Sequence, residues 1–169
     1  TLAEKPFKIL RPGALPDYEI AARLAADLYI IGITGGTGTG KTTALDVLRG
    51  MGALCIDADE LYHALTLTSQ DMKAELIARF GAVYDGDTLN RRALGDVVFS
   101  DPAALEDLNA VTHKYVTRET FRLLREFAMG GGTVAAIDAI GIFEAGLDSI
   151  CAAVFGVLAP EEVRLERIM

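Results

Sequence analysis

The sequence predicts an α/β fold with a parallel central sheet, helices on both of its faces, and a long helical stretch set between two halves of the sheet. Three observations carry this. Short apolar runs rich in β-branched residues at 29–33, 53–57, 133–138 and 152–158 read as strands, the first of them buried on both faces. Helical patterns separate these runs, and strands joined by helical crossovers lie parallel with helices above and below. From residue 60 to 129 the spacing turns almost wholly to helix, with hardly any strand signal.

Taken in order, residues 1 to 18 hold Pro6, Pro12, Gly13 and Pro16 with no sustained period, the profile of an extended arm, and Glu19 to Leu28 suits a short helix. Tyr29-Ile30-Ile31-Gly32-Ile33 is the first core strand. A helix is expected over Thr42 to Arg49, stopped by Gly50 and Gly52, and a second strand at Ala53 to Asp57. In the helical stretch Leu76, Ile77 and Phe80 share a face, Asp85-Gly86-Asp87 marks a turn, and Asp101-Pro102 opens a helix whose apolar stripe runs through Leu105, Leu108, Val111, Thr112 and Tyr115. Gly130-Gly131-Gly132 ends it, and the third and fourth strands follow.

Bulk properties exclude several functions. The 169 residues are 51% hydrophobic and 24% charged, a globular composition, while a net charge of −8 and a pI near 4.7 argue against a nucleic-acid surface. Any phosphate ligand must therefore be held by a local device. Cys55 and Cys151 lie in apolar runs and read as two buried thiols, which fits a reducing cytoplasm. The longest uncharged apolar run, 150–160, falls short of the ~20 residues that span a bilayer, and no apolar stretch follows Lys5, Lys8 and Arg11 to make a signal peptide. No part of the pattern sets an oligomeric state.

The local device is Gly35-Gly36-Thr37-Gly38-Thr39-Gly40-Lys41-Thr42, which satisfies G-x-x-x-x-G-K-[ST] between a strand and a helix. This is the P-loop of nucleotide triphosphatases. Its glycines let the backbone curl and aim amides at phosphate oxygens, and the helix N-terminus adds partial positive charge. Lys41 would face the β- and γ-phosphates of ATP, and the Thr42 hydroxyl would ligate Mg²⁺. No G-x-G-x-x-G passes through these glycines, which excludes a dinucleotide loop. Ile56-Asp57-Ala58-Asp59 then closes the second strand, and residues two apart on a strand share a face, so both carboxylates are expected to look toward the phosphates. One would accept the proton of an attacking hydroxyl and the other would serve the metal. The competing account has Asp59 cap a helix beginning at Glu60.

Together, residues 33–43 and Ile56-Asp57-Ala58-Asp59 resemble the dephospho-coenzyme A kinase family. The resemblance extends over residues 29 to 169 through Phe80-Gly81, Gly86 to Leu94 with Val98-Phe99, and Leu108-Asn109-Ala110-Val111-Thr112-His113. It implies a P-loop NTPase three-layer core formed by 29–58 and 131–169, with a helical substrate domain, 59–130, inserted after the second strand. The implied reaction is phosphorylation of the 3′-hydroxyl of the substrate's ribose. Asp59 matches the family's general base, with Lys41 and Asp57 beside it in catalysis and Thr42 and Asp57 toward Mg²⁺. ATP would be held by Gly36, Thr37, Gly38, Thr39, Gly40, Lys41, Thr42, Thr43 and the lid residue Arg167. Arg91 and His113 match substrate-side positions. The chain departs from the family in having Lys114 where proline usually follows the histidine, Ile140-Gly141-Ile142-Phe143-Glu144 where Pro-Leu-Leu-Phe-Glu is common, and Arg164 where Gln is commoner. The family pattern continues past Met169 with more lid, a last strand and a terminal helix. Two rival readings are another nucleoside or nucleotide kinase of this architecture, and a nucleotide-dependent switch. The switch reading rests on Asp138-Ala139-Ile140-Gly141 spelling D-x-x-G, but no N-K-x-D appears.

Overall fold

The computed structural model describes residues 5–9 and 13–168. Residues 1–4 and 10–12 of the expected arm, and Met169, lie outside the described residues. The chain divides into two compact units, one made of Thr1–Asp57 with Thr120–Met169, the other of Ala58–Glu119.

In the first unit, helix α1 spans Asp17–Ala26, strand β1 Tyr29–Thr34, helix α2 Lys41–Gly50 and strand β2 Leu54–Asp57. The helix expected at Glu19 begins earlier because Pro16, extended at φ −62° and ψ 150°, places its carbonyl to accept from the amides of Glu19 and Ile20. Ahead of it, the Phe7 amide donates to Met129 O at 2.9 Å and Lys5 Nζ to Gly131 O at 2.9 Å, so the arm is tied to the corner before the third core strand.

The second unit holds helices α3 (Ala58–Thr68) and α4 (Gln70–Phe80), short strands β3 (Tyr84–Asp85) and β4 (Thr88–Leu89), helix α5 (Arg91–Val98), and most of the long helix α6 (Pro102–Met129). Ser69 caps α4 by accepting from Met72 N, and Asn90 caps α5 by accepting from Ala93 N. Met72, Leu76, Phe80, Val83, Leu89 and Val98 are buried together against Val111 and Tyr115 of α6. Each such side chain contributes about 1.5–3 kcal/mol on burial. Exposed ion pairs between α4 and α6, such as Lys114 to Glu75 at 2.6 Å, contribute about 0–1 kcal/mol each, so the apolar stripe decides this unit's stability. The hairpin β3–β4 corrects the reading of 60–129 as almost free of strand: two strands of two residues leave no alternation to detect.

Returning to the first unit, α6 ends where the Gly130, Gly131 and Gly132 amides turn back to Glu126, Ala128 and Phe127 carbonyls. Strand β5 (Val134–Asp138) and strand β6 (Ala153–Gly156) complete a sheet ordered β2-β5-β1-β6, and helix α7 spans Glu161–Ile168. All its pairings are parallel. Ala135, Ala136 and Ile137 in β5 are fully buried, as a central strand covered on both faces requires. Leu45 of α2 packs on Ile33 and Ala136. Gly32 sits where a Cβ would come within 2.7 Å of Ile142 Cδ1, so only glycine lets that side chain reach β1. The helical unit and the insert expected over 59–130 begin one residue apart but end differently, because α6 runs unbroken past Glu119 and the glycines mark only where that helix stops. Cys55 and Cys151 are half-buried rather than buried. Their thiols donate to Leu45 O and Leu147 O, and burial raises both above the ordinary thiol value.

Candidate active site

The loop between β1 and α2 is shaped by its own backbone. Gly38 and Gly40 take φ of +78° and +102°, conformations open to glycine and costly for other residues. Thr39, buried, folds its hydroxyl onto Gly36 O at 2.9 Å, and Lys41 Nζ spans the curl to Gly35 O at 2.9 Å. The first helical bond of α2 runs from Ala44 N to Gly40 O, so the amides of residues 41–43 precede the intrahelical ladder and face outward at the positive end of a helix with no acidic residue in its first turn. Residues 38–43 and Arg167 line a cavity of ≈ 290 Å³ here. Outward amides at the positive end of a helix, with a lysine beside them, suit the oxygens of a phosphate group.

Gly36 and Thr37 belong to the same loop but are covered. Arg164 Nε donates to Thr37 O at 3.1 Å, and its guanidinium lies where a Cβ on Gly36 would be 3.0 Å away. Arg167 Nη1 donates to Gly38 O at 3.0 Å. Arg164 was not expected here from sequence; its spacing of three from Arg167 puts both on one face of α7 and is the signal that could have found it.

The two aspartates part company. Asp57 ends β2, in register with Asp138 of β5, which is itself in register with Ile33 of β1. Residues paired in parallel register share a face, about 4.8 Å apart, so Asp57 and Asp138 present neighbouring carboxylates at the carboxyl end of the sheet, the end from which the phosphate loop leaves. Asp59 is not on that strand. The chain passes from β2 into α3 at Ala58, which places Asp59 and Glu60 in the first helical turn, where their charges complement the helix dipole. The expectation that strand alternation puts Asp57 and Asp59 on one face is therefore incorrect, and so is the account of Asp59 as a cap before Glu60. Asp138, only 6% exposed, was read from sequence only as the start of a D-x-x-G, and the structure sets it beside Asp57. An acid closing the otherwise apolar Val134–Ile137 was its signal.

Arg91 and Asp59 both belong to the helical unit. Asn90 fixes the first of them: besides capping α5, its amide donates to Asp85 Oδ2 at 2.8 Å and its backbone N to Val83 O at 2.9 Å, while Leu89 is anchored in the core. Arg91 Nη2 then reaches His63 Nδ1 at 3.1 Å. Tyr62, next to it, is held above the ordinary phenol value by burial, partly offset by Arg91. His113 is half-buried on α6, which continues through this point because Lys114 has a backbone N–H where proline would have none.

With this geometry in view, comparison with known proteins is decisive. The family model CoaE: Dephospho-CoA kinase matches residues 29–169. The chain belongs to the dephospho-CoA kinase family. The dephospho-CoA kinase of Syntrophotalea carbinolica is 35% identical over 144 residues, covering 84% of this chain and 68% of that one. That of Anaeromyxobacter dehalogenans is 39% identical over 145 residues, with 84% and 68% covered. Among solved structures, the crystal structure of TT1252 from Thermus thermophilus aligns with a TM-score of 0.69 at 34% identity, covering 84% of this chain and 71% of that one. The dephospho-CoA kinase from Campylobacter jejuni, 12% identical with a TM-score of 0.52 over 83% and 94% of the two chains, agrees in fold. The part of this chain outside the family match, 1–28, comprises the arm and α1.

Proposed function

We propose that this protein transfers the γ-phosphoryl group of ATP to the ribose 3′-hydroxyl of dephospho-CoA, the last step of coenzyme A biosynthesis. The observation that carries the reading is the family match over 29–169, which contains the curled loop with its Lys41 cation and open amides. In the transfer, the acceptor's oxygen forms a bond to phosphorus as the bond to the β-phosphate oxygen breaks, ADP leaves, and the hydroxyl proton passes to a base. We assign that base to Asp59, and to Lys41 and the amides of 38–43 the charge that builds on the phosphoryl oxygens. Arg167 completes the ATP contacts, and Gly36 and Thr37 join them once Arg164 withdraws from the loop. Arg91 and His113 hold the acceptor.

The donor set suits magnesium, a hard cation that takes oxygen ligands and draws most of them from phosphates and water. Among the described residues no cluster of three or more His, Cys, Asp or Glu is placed to cage a metal, so the ion would lean on phosphate oxygens, with the Thr42 hydroxyl and Asp57 as protein donors. Bound Mg²⁺ would neutralise charge between the β- and γ-phosphates. Two free thiols fit a reducing cytoplasm, to which we assign the protein, and a net charge of −8 argues against a nucleic-acid partner; no helix among the described residues is long and apolar enough to cross a membrane.

The test is incubation with ATP, Mg²⁺ and a panel of acceptors. Dephospho-CoA should gain one phosphoryl group, seen by mass and as a new monophosphate ester in the ³¹P spectrum. Transfer to a nucleoside or nucleotide with none to dephospho-CoA would overturn the assignment in favour of another kinase of this fold, and preference for GTP in a binding titration would favour the switch.

A further inference from the structure

Arg91 occupies an adverse position. It begins α5, Arg92 follows it, and the first turn of that helix contains no acidic residue, so two guanidinium groups stand at the helix's positive end. The group that receives Arg91 is not a carboxylate but His63, twenty-eight residues away, with Nδ1 at 3.1 Å from Nη2. A guanidinium only donates, so Nδ1 must carry a lone pair and the ring proton must sit on Nε2. The difference matters chemically. A carboxylate would neutralise the guanidinium and compete with an anionic ligand, whereas a neutral imidazole fixes its direction and leaves its full charge available. Tyr62 steadies the ring, with centroids 5.4 Å apart at 52°. Asp59 lies four residues before His63, on the same face of α3.

We propose that His63 is a positioning residue for the acceptor: its unprotonated Nδ1 holds the Arg91 guanidinium beside the face of α3 that carries Asp59. The acceptor's diphosphate and its reacting hydroxyl are thereby set against one helix. The inference rests on the reading of Arg91 and Asp59 given above.

Three proteins should be compared in steady-state kinetics: wild type, His63→Ala and His63→Asn, the last keeping an acceptor near the Nδ1 position. His63→Ala should raise KM for dephospho-CoA on the order of tenfold and leave KM for ATP unchanged. His63→Asn should restore it to within about threefold. Unchanged acceptor KM in His63→Ala, equal loss for both substrates, or no rescue by asparagine would each overturn the proposal. Independently of turnover, the ¹⁵N spectrum of the His63 ring should report the Nε2–H tautomer, lost in Arg91→Ala. If that signature holds while dephospho-CoA is not phosphorylated, the assigned reaction fails but the pairing stands; if the signature is absent, the pairing fails whatever the reaction.

Discussion

Residues 35–43 keep their shape locally: three glycines at positive φ, carbonyls gathered by the Lys41 side chain, and a helix start, all within the same nine residues. The corner around Arg91 is assembled differently, from an asparagine cap, a hairpin carbonyl, a buried leucine and a histidine on another helix. The first needs a particular set of dihedral angles within one short segment. The second needs particular side chains brought from distant points of the chain. Substitutions should therefore act on the loop through conformation and on the helical unit through chemistry.

The largest effect is expected at Asp59. Asp59→Asn removes a proton acceptor and no phosphate contact, so kcat should fall on the order of 10³-fold while ATP affinity, measured by titration calorimetry, stays within about twofold. Near-normal turnover would remove Asp59 from the role of base and break the division between a phosphate-holding loop and a chemistry-bearing helix.

Gly35→Ala acts on the loop itself. Gly35 has φ +148°, and an added Cβ would stand 2.3 Å from Val157 O, a backbone atom that cannot swing aside. The variant should lose about 2 kcal/mol of stability in urea unfolding and bind ATP more weakly, although no side-chain contact is deleted. Unaltered nucleotide affinity would show that the curl does not depend on this dihedral.

Glu75→Gln sharpens the other side of the comparison with a small effect. Hydrogen bonds from Lys114, then Tyr115, hold the Glu75 carboxyl below its ordinary 4.5. Because its value is lowered on folding, the stabilisation is fully present above about 4.5 and is lost as pH falls from there through the lower folded value. With its side chain 35% exposed, screening by water keeps the contribution under about 1 kcal/mol. Urea midpoints at about pH 7 and pH 3 should differ less in Glu75→Gln than in the wild type; an identical difference would mean that Glu75 carries no acid sensitivity.

The sequence alone determined the strand, phosphate loop and helix from Tyr29 to Gly50, and the existence of β5, because each is written in a contiguous window: β-branched runs, glycines where φ turns positive, a stop after Arg49. It misled at Asp59, where no turn residue separates β2 from α3 and strand alternation was carried two residues too far. Only tertiary structure set Asp138 beside Asp57, laid Arg164 over Gly36, made the two-residue hairpin, and gave Arg91 to His63. Those pairs join residues up to 128 positions apart. No local pattern encodes such a meeting; it is decided when the apolar faces pack and bring the chain segments together.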